Sequence, residues 1–218
     1  MSLDWQQVDT VLLDMDGTLL DLEFDNVLWN QLVPQTYADT NGLSLDEAWA
    51  ELDIHFTRAA HTLPFYCLDH WARVTRLDII GLHHQLSHLI RYRPRADRFL
   101  AQLQAHADKR VLLVTNAHRD SLSIKDAVTG LTRHLDRSIS AHDYAAPKED
   151  PAFWAQLSAE EQIDPARTLL IDDTARVLEA AANFGIGHLY TIAQPDSGRP
   201  PRTDLAHPSL HCFSELLP

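Results

Sequence analysis

The 218-residue sequence is poor in cysteine and in positive charge and has no long apolar run, and each scarcity removes a class of function. Only Cys67 and Cys212 occur, far apart and without metal-type spacing, which argues against a disulfide framework and for reduced thiols that carry no chemistry. Lys and Arg number 18 against 31 Asp and Glu, a formal net charge of −13. Such a surface repels phosphate backbones and anionic lipids, so neither nucleic-acid nor membrane partners are expected. An anionic substrate would need positive charge placed locally, by a metal or a few side chains. No stretch approaches the roughly 20 apolar residues that span a bilayer, and residues 1–8 lack the apolar region of a signal peptide, so a cytoplasmic protein is expected. Internal repeats and low-complexity segments are also lacking.

What is present fits a globular chain: 45% apolar and 22% charged residues, with a length that suits one core carrying an insertion. Three short apolar runs end abruptly in polar residues: Val11-Leu12-Leu13 at Asp14, Val111-Leu112-Leu113-Val114 at Thr115-Asn116, and Leu169-Leu170-Ile171 at Asp172-Asp173. Continuous runs of this length suit strands covered on both faces. Residues 138–141 and 188–192 are weaker strand candidates. Helix signals lie between: a segment opened by Pro94, 122–128 closed by Gly130, 151–157, and 177–184 closed by Gly185. This alternation predicts an α/β fold with a parallel sheet between helices. Residues 25–92 instead show helical spacing throughout, with a capping box at Ser44 to Glu47 and helices predicted over 26–38, 65–74 and 79–92. They read as a helical lobe inserted after the first strand, and the proline-rich tail after Gln194 reads as irregular.

In a parallel sheet, ligands gather beyond the carboxyl ends of the strands, where Asp14, Thr115, Asp172 and Asp173 are expected. Clustered carboxylates repel one another and imply a cation. In Asp14-Met15-Asp16-Gly17-Thr18, two carboxylates one residue apart can divide labour, one attacking phosphorus and the other moving protons. Gly17 permits a sharp turn; the rest of a calcium loop is missing.

These residues resemble the haloacid dehalogenase superfamily of phosphatases. Asp14 to Thr18 is similar to its first motif, Thr115-Asn116 to the second, Lys148 in Ala146-Pro147-Lys148-Glu149-Asp150 to the third, and Asp172-Asp173 to the fourth. The resemblance implies a Rossmannoid core (1–24 and 93–218) with a helical cap (25–92). It implies Asp14 as nucleophile, Asp16 as general acid and base, and Lys148 as a catalytic cation. It further implies a phosphate clamp from Thr115 and Asn116 together with Lys148, and Mg²⁺ held by Asp14, the Asp16 carbonyl and Asp173, with Asp172 reaching it through water. An acid at position 16 sets the chain apart from the dehalogenases of that superfamily. Segments 20–26, 61–69 and Pro195-Asp196-Ser197-Gly198 resemble its bacterial purine 5′-nucleotidases acting on GMP and IMP, which implies a nucleoside monophosphate as the small-molecule partner. Phe24, Trp29 and Tyr66 are candidates to stack a purine, and His118 is a candidate substrate contact. The alternatives are a phosphoglycolate- or sugar-phosphate phosphatase, a β-phosphoglucomutase-like enzyme, or a binding module on the same fold. His84 and His88 have the spacing of a zinc pair, but the sequence shows no third ligand.

Overall fold

A computed structural model describes residues 3–106 and 108–217; Met1, Ser2, Ala107 and Pro218, which the expected core bounds include, lie outside the described residues. The three apolar runs are strands β1 (Thr10–Leu13), β2 (Arg110–Thr115) and β4 (Thr168–Ile171), and they lie side by side. Leu12 pairs with Leu112 on one side and Leu170 on the other, so β1 and β4 end level while β2 runs two residues further, to Thr115. With β3 (Arg137–Ser140), β5 (His188–Ile192) and β6 (Ser209–Leu210), they form a parallel sheet of order β3-β2-β1-β4-β5-β6. The proline-rich tail is therefore not wholly irregular: its backbone adds the edge strand β6, and Phe213 packs on Phe99 with ring centroids 4.9 Å apart.

The pleat sends successive side chains of each run to opposite faces. Val11, Leu13, Val111, Leu113, Leu169 and Ile171 join one hydrophobic core, whereas Leu12, Leu112, Val114 and Leu170 join the other. Helices cover both faces, which is why these strands read as unbroken apolar runs. On the first face lie α6 (Ala96–Ala105) and α7 (Arg119–Thr129); on the second lie α8 (Pro151–Glu161) and α9 (Ala175–Phe184). Gly130 and Gly185 close α7 and α9 in the left-handed conformation, as their positions predict.

Between β1 and α6 the chain is helical, with α1 (Glu23–Val27), α2 (Val33–Asn41), α3 (Leu45–Ala59), α4 (Leu68–Thr75) and α5 (Ile79–Gln85). The Ser44–Glu47 capping box opens α3, with the Ser44 N–H 2.9 Å from Glu47 Oε2. Residues 28–32 wind as a π-helix between α1 and α2. Pro34 follows on α2; it has no N–H to give and its ring crowds the preceding turn, a cause for the wider winding just upstream. Cys67 is extended, so a 3₁₀ turn (Leu63–Tyr66) replaces the start of the helix predicted over 65–74. The helix predicted over 79–92 stops at Gln85, and Tyr92 instead bridges to Leu20. Asp21 N–H to Arg91 O (2.9 Å) and Arg93 N–H to Leu19 O (2.9 Å) tie the chain entering the helical region to the chain leaving it.

The tail residues Pro195 to Gly198 pack on this junction. Leu22 N–H donates to Pro195 O (3.0 Å), Ser197 N–H to Asp21 Oδ1 (3.2 Å), and Asn26 Nδ2 to Asp196 Oδ2 (2.6 Å). No helix of the described residues is long and apolar enough to cross a membrane.

Candidate active site

The level ends of β1 and β4 deliver the acidic residues to one place. Asp14 follows β1, with its N–H bonded to Ile171 O at 3.0 Å, and the loop folds back through Leu20 N–H to Met15 O (2.8 Å). Gly17 has φ +79°, and a Cβ on it would lie 2.9 Å from Asp173 Cγ, so both the turn and the approach of Asp173 require glycine here. Thr18 Oγ1 accepts the Asp173 N–H at 3.1 Å, joining the loop after β1 to the loop after β4.

Lys148 reaches the same point from the loop before α8 and is completely enclosed. Its Nζ lies 2.6 Å from Asp14 Oδ1, 2.6 Å from Asp172 Oδ2 and 3.0 Å from Val114 O. Its backbone is fixed on both sides: the N–H donates to Asn116 Oδ1 (2.8 Å), and the carbonyl accepts Trp154 Nε1–H (2.7 Å). Asn116 Nδ2 also donates to Glu149 Oε2 (2.9 Å), whose other oxygen accepts the Tyr66 hydroxyl (2.7 Å). Thr115 Oγ1 accepts the Ala117 N–H (3.0 Å) and so shapes the loop after β2.

Facing Asp14, Asp16 is held by a second buried lysine, which the sequence reading missed. Lys125 Nζ lies 2.6 Å from Asp16 Oδ1 and 2.8 and 2.9 Å from the two oxygens of Asp25. A signal was there: Lys125 falls on the buried stripe of α7 with Ser121 and Leu122, where a charge needs a partner. Its ammonium also sits 5.0 Å from the centroid of the Phe24 ring.

Burial, the largest influence, pushes the Asp14 carboxyl well above the usual carboxylate range, with Asp172 and Asp16 adding repulsion against the pull of Lys148. Burial likewise raises Asp172 and Asp173, and raises Asp25 with Asp16 adding to it. Burial disfavours both ammonium groups, but Asp14 and Asp172 more than offset it at Lys148, as Asp16 and Asp25 do at Lys125, so both are held above the ordinary lysine range. Two ammonium groups thus face five carboxylates, and the excess negative charge is what a divalent cation relieves. One oxygen from each of Asp14, Asp172 and Asp173 lies within 4.8 Å of the others, an all-oxygen set of the kind Mg²⁺ takes.

These groups open into a cavity of about 520 Å³. Asp14, Asp16, Thr115, Asn116, Lys148 and Asp173 line its floor, and aromatic side chains, Trp29, Trp49, Phe56, Phe65, Tyr66 and Trp71, form much of the opposite wall. Asp172 does not line the cavity but bonds the Lys148 ammonium. Tyr66 and His118 line the cavity, but Phe24 does not: it is 1% exposed, edge-on to His83 with ring centroids 5.6 Å apart. The stacking role considered for Phe24 is therefore set aside, since its ring fills the core beside Lys125. His84 and His88 belong to no metal-binding cluster among the described residues.

A hydrolase site is what this floor resembles, and comparison with known proteins agrees. Residues 8–185 match the haloacid dehalogenase-like hydrolases, and the chain belongs to that family. It is 41% identical over all 218 residues to the GMP/IMP nucleotidase YrfG of Escherichia coli (strain K12), covering 98% of that protein, and equally similar to the Shigella flexneri protein of the same name. Among solved structures, a HAD phosphatase from Thermococcus onnurineus superposes with a TM-score of 0.77 at 20% identity over 95% of both chains. A HAD-hydrolase, YfnB from Bacillus subtilis, superposes with 0.64 at 15% identity over 95% of this chain and 96% of its own, and both matches reflect the shared fold.

Proposed function

We propose that the protein is a cytoplasmic Mg²⁺-dependent phosphomonoesterase that hydrolyses purine nucleoside 5′-monophosphates, GMP and IMP in particular, through a phosphorylated Asp14. The observation that carries this reading is the single cavity that joins Asp14, Asp16 and Lys148 to an aromatic wall wide enough for a base. The full-length similarity to GMP/IMP nucleotidases supports the choice of purine.

Asp14 attacks phosphorus and the bond from phosphorus to the ester oxygen breaks. Asp16, on the other side of the cavity floor, gives its proton to the departing nucleoside oxygen. The same carboxylate then takes a proton from water as that water attacks the phosphoryl group, releasing phosphate and restoring Asp14. Lys148 holds Asp14 in place and offsets charge on the transferring oxygens, while Thr115 and Asn116 shape the loop that receives them. Asp14, Asp173 and the Asp16 carbonyl, with Asp172 nearby, would hold Mg²⁺, which would neutralise charge at the phosphoryl group. The aromatic wall accepts the base, so remote binding energy positions the phosphate.

The test is phosphate release from GMP, IMP, phosphoglycolate and glucose phosphates. GMP or IMP should show the highest kcat/KM, activity should vanish with EDTA and return with Mg²⁺, and Ca²⁺ should substitute poorly because its looser coordination misplaces the attack. Full activity in metal-free buffer would remove the cation from the scheme, and a clear excess of sugar phosphates or phosphoglycolate would overturn the purine assignment.

A further inference from the structure

Beside the cavity, three side chains distant in sequence converge: Cys67, His118 and His142. A ligand atom from each lies within 4.8 Å of the other two. Cys67 belongs to the helical region, in the extended link between the turn of residues 63–66 and α4. His118 caps α7 beyond β2, and His142 lies in the 3₁₀ turn (Ala141–Asp143) beyond β3, so two ligands come from the core and one from the helices above it. The two imidazoles stand edge to face with centroids 5.0 Å apart.

We propose that Cys67, His118 and His142 form a second metal site, selective for a borderline transition ion such as Zn²⁺ or Co²⁺ and distinct from the carboxylate site for Mg²⁺.

An independent observation comes from His142. Its Nε2 is buried and has no hydrogen-bond partner among the described residues, a costly state for a polar atom unless something binds there. His118 Nδ1 accepts a long bond from Asp120 N–H at 3.4 Å and has Asp120 Oδ2 at 3.4 Å, and Asp69 Oδ2 lies 3.9 Å from its Nε2. Water would fill the fourth position of a tetrahedral ion there.

Donors sharing one tetrahedral ion stand about 3.5 Å apart, so the three, within 4.8 Å of one another, need close in by little more than an ångström at most. Thiolate and imidazole favour Zn²⁺ and Co²⁺, whereas an all-carboxylate set favours Mg²⁺, so ligand softness separates the two sites. On binding, Cys67 loses its thiol proton to the buffer and no redox change is involved. The bound ion would tie the helical region to the core at the rim of the cavity.

Co²⁺ and Zn²⁺ are the probes, added to the full chain with Mg²⁺ in saturating excess. One Co²⁺ per chain should give a thiolate-to-cobalt charge-transfer band that Zn²⁺ displaces. Cys67→Ser should abolish the band, and His142→Ala should weaken Co²⁺ binding by about tenfold or more. Neither residue lines the cavity, so Mg²⁺-dependent turnover of both variants should match the wild type and certify their folding. A measurement on the unmodified protein stands beside these: Zn²⁺ should slow alkylation of Cys67 by about tenfold or more while leaving the other free thiol, Cys212, unaffected. Absence of the charge-transfer band in the wild type, or alkylation of Cys67 at the same rate with and without Zn²⁺, would overturn the site.

Discussion

Replacing Lys125 with Met removes the ammonium that holds Asp16 and Asp25 while nearly keeping the volume of the side chain. The lysine side chain is 1% exposed, whereas those of Asp16 and Asp25 are 21% and 19% exposed. Breaking a fully buried ion pair costs about 3–5 kcal/mol because a charge is left without a partner. Here the cost should fall below that range, at about 2–3 kcal/mol, since both carboxylates keep some water and Asp25, already raised, can take up a proton. For a chain of this size, that corresponds to a fall in Tm of roughly 4–12 °C. Adding Asp25→Asn removes the orphaned charge and should restore most of the stability. It should not restore turnover, because Asp16 would still lack its anchor. Urea unfolding of the wild type, both single variants and the double variant gives the coupling energy, and steady-state phosphate release gives the catalytic effect. A Lys125→Met protein within about 0.5 kcal/mol of the wild type, with unchanged kcat, would refute the view that this lysine holds the acid in position.

Asp14→Asn should abolish phosphate release with the unfolding curve nearly unchanged, and Asp16→Asn should lower kcat by about 10²- to 10⁴-fold; substantial steady turnover by Asp14→Asn would sink the covalent route. His83 donates Nδ1–H to Ile79 O at 2.8 Å, and burial lowers its pKa from 6.5 to about 4. The unfolded chain therefore takes up a proton that the native ring refuses, so stability is full above pH 6.5 and falls as the pH drops toward 4. This one ring should cost about 2 kcal/mol between roughly pH 7.5 and 5, seen as the part of the wild-type loss that His83→Asn lacks; parallel pH profiles for the two proteins would contradict it. Trp29→Ala should weaken GMP and IMP by about 1–3 kcal/mol in kcat/KM while barely changing a small phosphate ester, and equal loss on both would show that the indole only supports the wall.

Several features of this protein are decided by short stretches of chain. Unbroken apolar runs ending at Asp14, Thr115 and Asp172 announce strands covered on both faces, because burial on two sides erases the alternation that a half-exposed strand keeps. Capping at Ser44 and Glu47 and helix closure at Gly130 and Gly185 are equally local, since each depends on hydrogen bonds or backbone angles within a few residues. Position at the ends of those runs likewise points to Asp14, Asp16, Thr115, Asn116, Asp172 and Asp173, whereas Lys148 is marked only by its resemblance to the family's third motif.

Other features depend on which segments meet, and one-dimensional spacing holds no record of that. Phe24 and Trp29 look alike as aromatics near the start of the helical region, yet packing puts Phe24 in the core against His83 and leaves Trp29 on the cavity wall. Lys125 was visible only as a charge on an apolar stripe; its partners, Asp16 and Asp25, are 109 and 100 residues away. The edge strand β6 was hidden because backbone pairing, rather than side-chain pattern, places Ser209 and Leu210 beside β5. Cys67 reads as an inert thiol in the sequence, and only the fold sets it against His118 and His142. Local periodicity and capping are short-range interactions written along the chain, whereas ion pairs and metal ligands are chosen by distance in space after the sheet and the helices above it have packed.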